Sequence, residues 1–302
     1  MQTSMMQTLK KRWPFGGVPV EHSPAMARLV SNLQYEIIPM KSVEQAIADL
    51  PPGAHVSVTC SPAQGIAATQ ELTARLVADG FAATPPFAGR MVASHDEARE
   101  LAAWCRDLAL PEVYVIAGDA PEAHGPYEGA LSFLRDFLAA DPGVSAVGFA
   151  GYPDGHAFVD RAIVDEQVLL KQALLAEFGL GGWISTQMCF DEAGIRSWIE
   201  RERARGVTAP IRLGVPGVVD RARLMKVGTR LGIGASMRFL SKNTSTVMKL
   251  LAPGGFDPTE MVVAFAEDAT ELGIEALHSF TFNSVADTRS WQEAILAGGA
   301  SS

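Results

Sequence analysis

The sequence predicts an α/β protein built as one (β/α)8 barrel, also called a TIM barrel. Three observations carry this. Short apolar runs recur eight times at near-regular spacing, an amphipathic or helix-like stretch follows each run, and the eight units fill about 265 residues. The runs are YEIIP (35–39), HVSVT (55–59), GFAATP (80–85), VYVIA (113–117), SAVGFAG (145–151), WISTQ (183–187), IRLGV (211–215) and ALHSFTF (276–282). A doubly wound sheet is the competing α/β arrangement, and it wants a glycine fingerprint straight after its first strand. Here the first run ends at Pro39, and the nearest approach, GIGAS (232–236), lacks the third glycine and comes late.

The elements between the runs carry helix punctuation. AATQELTARLVADG (67–80) closes on Gly80, SHDEARELAAWCRDL (94–108) opens on Ser94 as an N-cap, and FDEAGIRSWIERERARG (190–206) closes on Gly206. The less regular segment 232–258 predicts an extra helix between the seventh and eighth strands. Residues 1–30 read as an N-terminal arm, 31–298 as the barrel, and 299–302 as a disordered tail.

Composition narrows the function classes. The chain has 302 residues, 48% apolar and 20% charged, which excludes a disordered protein. Its 25 basic and 34 acidic residues leave a net charge of −9, so no surface is expected for nucleic acid or an anionic membrane. Cys60, Cys105 and Cys189 are too few and scattered for a disulfide framework or a structural zinc site, and read as thiols in a reducing compartment. No run reaches the roughly 18 apolar residues of a membrane span, and the basic N-terminus lacks the apolar core of a secretory signal. The expected location is the cytoplasm, and the composition leaves a homo-oligomer open.

Strand side chains alternate between the barrel interior and the helix layer. Gln34 and Glu36 share one face of the first strand against Tyr35 and Ile37. His55, Ser57 and Thr59 share one face of the second, Ser185 and Gln187 one face of the sixth, and Ser279, Thr281 and Asn283 one face of the eighth. These polar faces are expected to line the interior and the C-terminal mouth, where barrel enzymes place their chemistry. A buried carboxylate is costly unless paired or protonated, so Glu36 is either a site residue or half of a structural ion pair. Asp119 follows VYVIAG, where Gly118 permits a sharp turn; it fits a site carboxylate or a helix cap. The amide of Gln187 suits the edge of a heterocycle or a buried hydrogen bond. Tyr152 and His156 in GYPDGH form a loop on which a flat ring can stack, although turn chemistry also explains that loop. Phe239 is a second stacking candidate or an ordinary core residue. The histidines lack metal-ligand spacing, so no metal is expected, and Cys189 reads as a small hydrophobe.

YEIIP, VSVTC (56–60), VIAGD (115–119), GYPDGH (151–156), STQMCFD (185–191) and LHSFTFN (277–283) occur in the order found in methylenetetrahydrofolate reductases. The chain resembles that family, in its short bacterial form, over roughly residues 33–297. The resemblance implies reduction of 5,10-methylenetetrahydrofolate to 5-methyltetrahydrofolate with NADH or NADPH, through FAD. It implies that Glu36 is the general acid that protonates N10 and opens the imidazolidine ring, a role that needs an un-ionised carboxyl group. Asp119 matches the aspartate beside flavin and pterin that stabilises the iminium. Gln187 matches the pterin-contacting glutamine, with Thr59, Phe239 and Thr281 as further substrate-binding candidates. Thr59, Gly118, Asp119, Tyr152, His156, Asp165 and Lys171 fall on or beside flavin-contacting positions.

The departures fall on the flavin side. Pro86 stands where the family has a histidine, Ala117 where it often has an arginine, and Val168 and Gln172 near its asparagine and lysine, with Lys171 one residue off. An alternative therefore dispenses with FAD: NAD(P)H hands its hydride straight to the folate iminium. A second alternative is a non-catalytic folate-binding partner subunit.

Overall fold

The computed structural model describes residues 23–60, 62–156, 159–219 and 256–299. Phe239, the extra helix expected in 232–258 and the tail beyond 299 lie outside them. The strands are β1 (Leu33–Ile37), β2 (His55–Val58), β3 (Ala82–Thr84), β4 (Pro86–Ala88), β5 (Glu112–Ile116), β6 (Ala146–Gly151), β7 (Gly181–Thr186), β8 (Ile211–Pro216) and β9 (Ile274–Phe280). All their pairings are parallel, in the order β3-β2-β1-β9-β8-β7-β6-β5-β4. β3 falls within the expected third run (80–85), and β4 continues that barrel position beyond it. Pro85 and Pro86 have no N–H to give a ladder, so the chain changes partners there, from β2 to β5. The nine segments thus occupy eight positions of a nearly closed (β/α)8 barrel, as the sequence predicts.

The helices are α1 (Pro24–Ser31), α2 (Val43–Asp49), α3 (Gly65–Ala78), α4 (His95–Asp107), α5 (Ala130–Ala139), α6 (Arg161–Glu177), α7 (Glu192–Ala204), α8 (Thr259–Ala266), α9 (Ala269–Leu272) and α10 (Val285–Gly299). The expected caps are in place. The Ser94 hydroxyl accepts from the Glu97 N–H at 3.1 Å, the Asp191 carboxylate accepts from the Gly194 N–H at 3.0 Å, and Gly206 takes φ +99° after α7. The barrel unit begins earlier than residue 31. α1 falls inside the segment read as an arm, and it buries Met26, Leu29 and Val30 against α10 and β9. Among the described residues, no helix is long and apolar enough to cross a membrane.

Register decides which side chains face inward, because paired residues on neighbouring strands share a face. Gln34 pairs with His55 and His278, and Glu36 pairs with Ser57 and Phe280. Gln34, Glu36 and Ser57 therefore point inward as expected. β9 is the exception: His278 and Phe280 are inside, while Ser279 turns toward Thr288 of α10. The expectation that Thr281 and Ser279 line the interior is corrected by this register. Polarity alone assigned that face, and the pairing with β1 overrides it.

The floor of the interior is an aromatic–ionic stack. Arg212 of β8 lies 3.9 Å above the Trp183 ring of β7 and donates two 3.0 Å hydrogen bonds to the Glu112 carboxylate of β5. Trp183 fits because β6 has no side chain at Gly148: a Cβ there would lie 2.3 Å from Cε2 of the indole. Gly148→Ala is expected to cost about 3 kcal/mol through overpacking, a fall in Tm of roughly 6 °C. A melting curve within a degree of the parent would show that the indole can move aside.

Candidate active site

Parallel strands bring their C-terminal ends to one mouth. Glu36 on β1, Thr59 after β2, Gly118 and Asp119 after β5, Tyr152 and His156 after β6, and Gln187 after β7 all reach it. Gly118 takes φ +88° and packs so closely on Ala88 that a Cβ would lie 2.7 Å from it. The sharp turn that delivers Asp119 therefore needs glycine.

Glu36 faces the interior, its side chain 17% exposed, with Oε2 at 3.2 Å from Nε2 of His278. No lysine or arginine pairs with it among the described ion pairs; its partner is an imidazole. Nδ1 of His278 is 3.1 Å from Oε1 of Gln34, and Nε2 of Gln34 donates to the Thr84 hydroxyl at 3.2 Å. Tyr114 stacks on His278 at 6.5 Å and 27°, and Phe280 meets it edge-on at 4.9 Å.

Two tyrosines link this group to Asp119. Burial pushes the Tyr114 phenol well above its ordinary range, and the neighbouring Tyr152 and Glu36 add to the rise. Burial also pushes Tyr152 up to about 12, with the Asp119 carboxylate contributing. Both phenols stay protonated at neutral pH and can only act as neutral hydrogen-bonding walls. Tyr152 and His156 meet edge to face at 5.1 Å, forming the aromatic corner the loop suggested.

Backbone clamps hold the strand that carries Glu36. The Thr281 hydroxyl donates to the Glu36 carbonyl at 2.5 Å, and the Thr59 hydroxyl donates to the Ile37 carbonyl at 3.1 Å. Asn283 accepts from the Ile38 N–H at 2.8 Å, and its Nδ2 donates to the Ile38 carbonyl and the Ser42 hydroxyl, each at 3.0 Å. It extends the ladder beyond β1 like a surrogate strand, with Phe282 and Asn283 at φ +50° and +62°. Thr281, expected to touch substrate, is fully buried and serves this clamp. Gln187 is half-buried, and its Oε1 accepts from the Met188 N–H at 2.8 Å.

Lys171 does not join the mouth, and Asp165 lines a cavity beside it with Pro153, Asp154, Arg161 and Asp191. Asp165 lies on α6 facing α7, with Oδ2 at 3.6 Å from Nη2 of Arg201. Lys171 is buried between α6 and β6, its Nζ 5.7 Å above the Phe149 ring. The Cys189 thiol is buried against Oδ1 of Asp154, which raises it far above the usual range and makes it inert. Of the residues expected to contact flavin, Thr59, Gly118, Tyr152 and His156 lie on the turns that follow β2, β5 and β6. Lys171 is held within the helical layer and Pro86 and Ala117 offer no donor side chain, whereas Asp165 lines a cavity with Pro153, Asp154, Arg161, Asp191 and Arg201.

Tyr114 and the inward direction of His278 escaped the sequence reading, whereas Gln34 was placed on the inward face with Glu36. His278 is visible in LHSFTFN, but only its register opposite Gln34 turns it toward Glu36.

No protein-family model matches the chain. The sequence is similar to methylenetetrahydrofolate reductase 2 of Saccharomyces cerevisiae. Identity is 25% over 185 residues, which cover 57% of this chain and 29% of the yeast protein. The chain therefore spans under a third of that relative's length. Among solved structures, the carboxyl transferase domain of Rhizobium etli pyruvate carboxylase aligns at TM-score 0.43 and 9% identity, covering 91% of this chain and 48% of that one.

Proposed function

We propose that this chain is an oxidoreductase that reduces 5,10-methylenetetrahydrofolate to 5-methyltetrahydrofolate with NADH or NADPH. The observation that carries the reading is Glu36, a carboxyl group inside the barrel mouth whose partner is an imidazole rather than a fixed cation. The partial similarity to the yeast reductase supports the substrate class.

In this reading Glu36 gives its proton to N10 of the folate, and the C–N10 bond breaks to leave a methylene iminium on N5. Asp119, on the turn after β5, stabilises that cation with its carboxylate. A hydride from C4 of the dihydronicotinamide adds to the methylene carbon, giving the methyl group and NAD(P)+. One proton and one hydride are consumed, and solvent returns the proton to Glu36. The iminium accepts hydride directly, so the step needs no intermediate carrier. Pro86 and Ala117, which offer no donor side chain where the family has a histidine and often an arginine, favour this direct route over one through FAD.

The test is a steady-state assay of the purified full chain with NADH, NADPH and methylenetetrahydrofolate. Folate-dependent oxidation of a reduced nicotinamide is expected from protein without the visible absorption of a flavin. Activity that appears only on adding FAD would overturn the direct route. Tight folate binding without turnover would overturn the enzymatic reading and leave a binding subunit.

A further inference from the structure

We propose that His278 is a positioning residue that keeps the working proton on Glu36, with its tautomer set by Gln34 and Thr84. The proposal rests on the folate-reduction reading for its kinetic consequence, but not for its structural one.

The argument starts from donors and acceptors. Nε2 of Gln34 is used on the Thr84 hydroxyl, so Oε1 faces Nδ1 of His278 as an acceptor. An amide turned the other way would donate to Nδ1 and leave the hydrogen on Nε2, which the tautomer measurement distinguishes, whereas with Gln34 held this way Nδ1 carries the hydrogen. In a neutral imidazole the other nitrogen bears the lone pair, and here that nitrogen, Nε2, lies 3.2 Å from Oε2 of Glu36. A neutral ring against an ionised carboxylate would set acceptor against acceptor. One proton therefore lies between them: on Oε2, as the acid the reaction needs, or on Nε2, as an imidazolium beside a carboxylate. The two groups hold it as a unit.

The ring cannot turn away. It is 3% exposed, with Tyr114 stacked on it and Phe280 against its edge. The other titratable groups around it are accounted for. Tyr114 of β5 is protonated, and Arg212 of β8 is paired with Glu112 of β5 and lies 3.5 Å from Glu275 of β9. Asp119 contributes through Tyr152 at the rim. Glu36 is thus the group presented to Nε2, and a proton lost to folate is replaced on the same pair.

The experiment combines 15N NMR of histidine-labelled full-length protein with kinetics. At neutral pH, His278 is expected as the Nδ1–H tautomer or as the doubly protonated ring, and Glu36→Gln is expected to change its signals. A neutral ring protonated at Nε2 would overturn the proposal, because it would donate to an ionised carboxylate. In the folate assay, His278→Gln is expected to lower kcat about a hundredfold and displace its pH profile, with KM for folate within about threefold. Gln34→Leu removes the tautomer lock and leaves the ring; it is expected to lower kcat about tenfold with the same displacement of the profile. An unchanged pH profile in both variants would overturn the proposal. If the parent protein turns over no folate, the reaction assignment fails, while the tautomer measurement still decides the role of His278.

Discussion

Glu36→Gln is expected to reduce folate-dependent NAD(P)H oxidation by about a thousandfold, within the range of a lost general acid. Glutamine keeps the shape and can still hydrogen-bond to His278, but its amide cannot give a proton to N10. The fold should be unaffected, since the clamps at Thr281 and Asn283 act on the backbone of this strand and not on its side chain. Steady-state rates together with a folate binding isotherm check this. Unchanged binding with collapsed turnover is the expected pair of results, and full turnover in the variant would remove Glu36 from the mechanism.

The second large effect concerns stability. Lys171 is buried over Phe149, and burial lowers its pKa from 10.5 to about 8. Between these pH values the unfolded chain holds a proton that the folded one has lost, so stability rises as pH climbs from about 8 to about 10.5. Below pH 8 both states are charged, and the fold bears the full cost of a buried ammonium, about 3 kcal/mol. Lys171→Met is therefore expected to stabilise the protein by up to about 3 kcal/mol at neutral pH and to abolish this rise. Chemical denaturation of both proteins across the alkaline range gives the difference, which cancels the other titrating groups. A difference that does not vary with pH would show that the amine reaches water.

Much of this was legible because local pattern and tertiary demand agree. The eight apolar runs became barrel positions, and Gln34 and Glu36 face inward as their alternation with Tyr35 and Ile37 implied. Tyr35 is outside, its hydroxyl donating to Gln292 of α10 at 2.5 Å. The last strand was misread because polarity stood in for direction. The hydroxyls of Ser279 and Thr281 are tolerated away from the interior, and the imidazole that matters sits one residue over. No pattern within LHSFTFN reveals this, since it follows from pairing with residues more than two hundred positions earlier. Lys171 fell one residue from the matching position of a motif, and α6 points it at β6. The continuation at Pro86–Ala88 was also hidden: the run GFAATP stops at Pro85, and only the pairing with β5 shows that the strand resumes beyond it.

The stack of Arg212, Trp183 and Glu112 closes the barrel at one end, and this constrains traffic. Among the described residues, Glu36 is approached from the opposite end, where the strands finish. In the proposed reduction the folate and the nicotinamide would share that approach, so the occupant of the inner place can be exchanged only when the outer one has left.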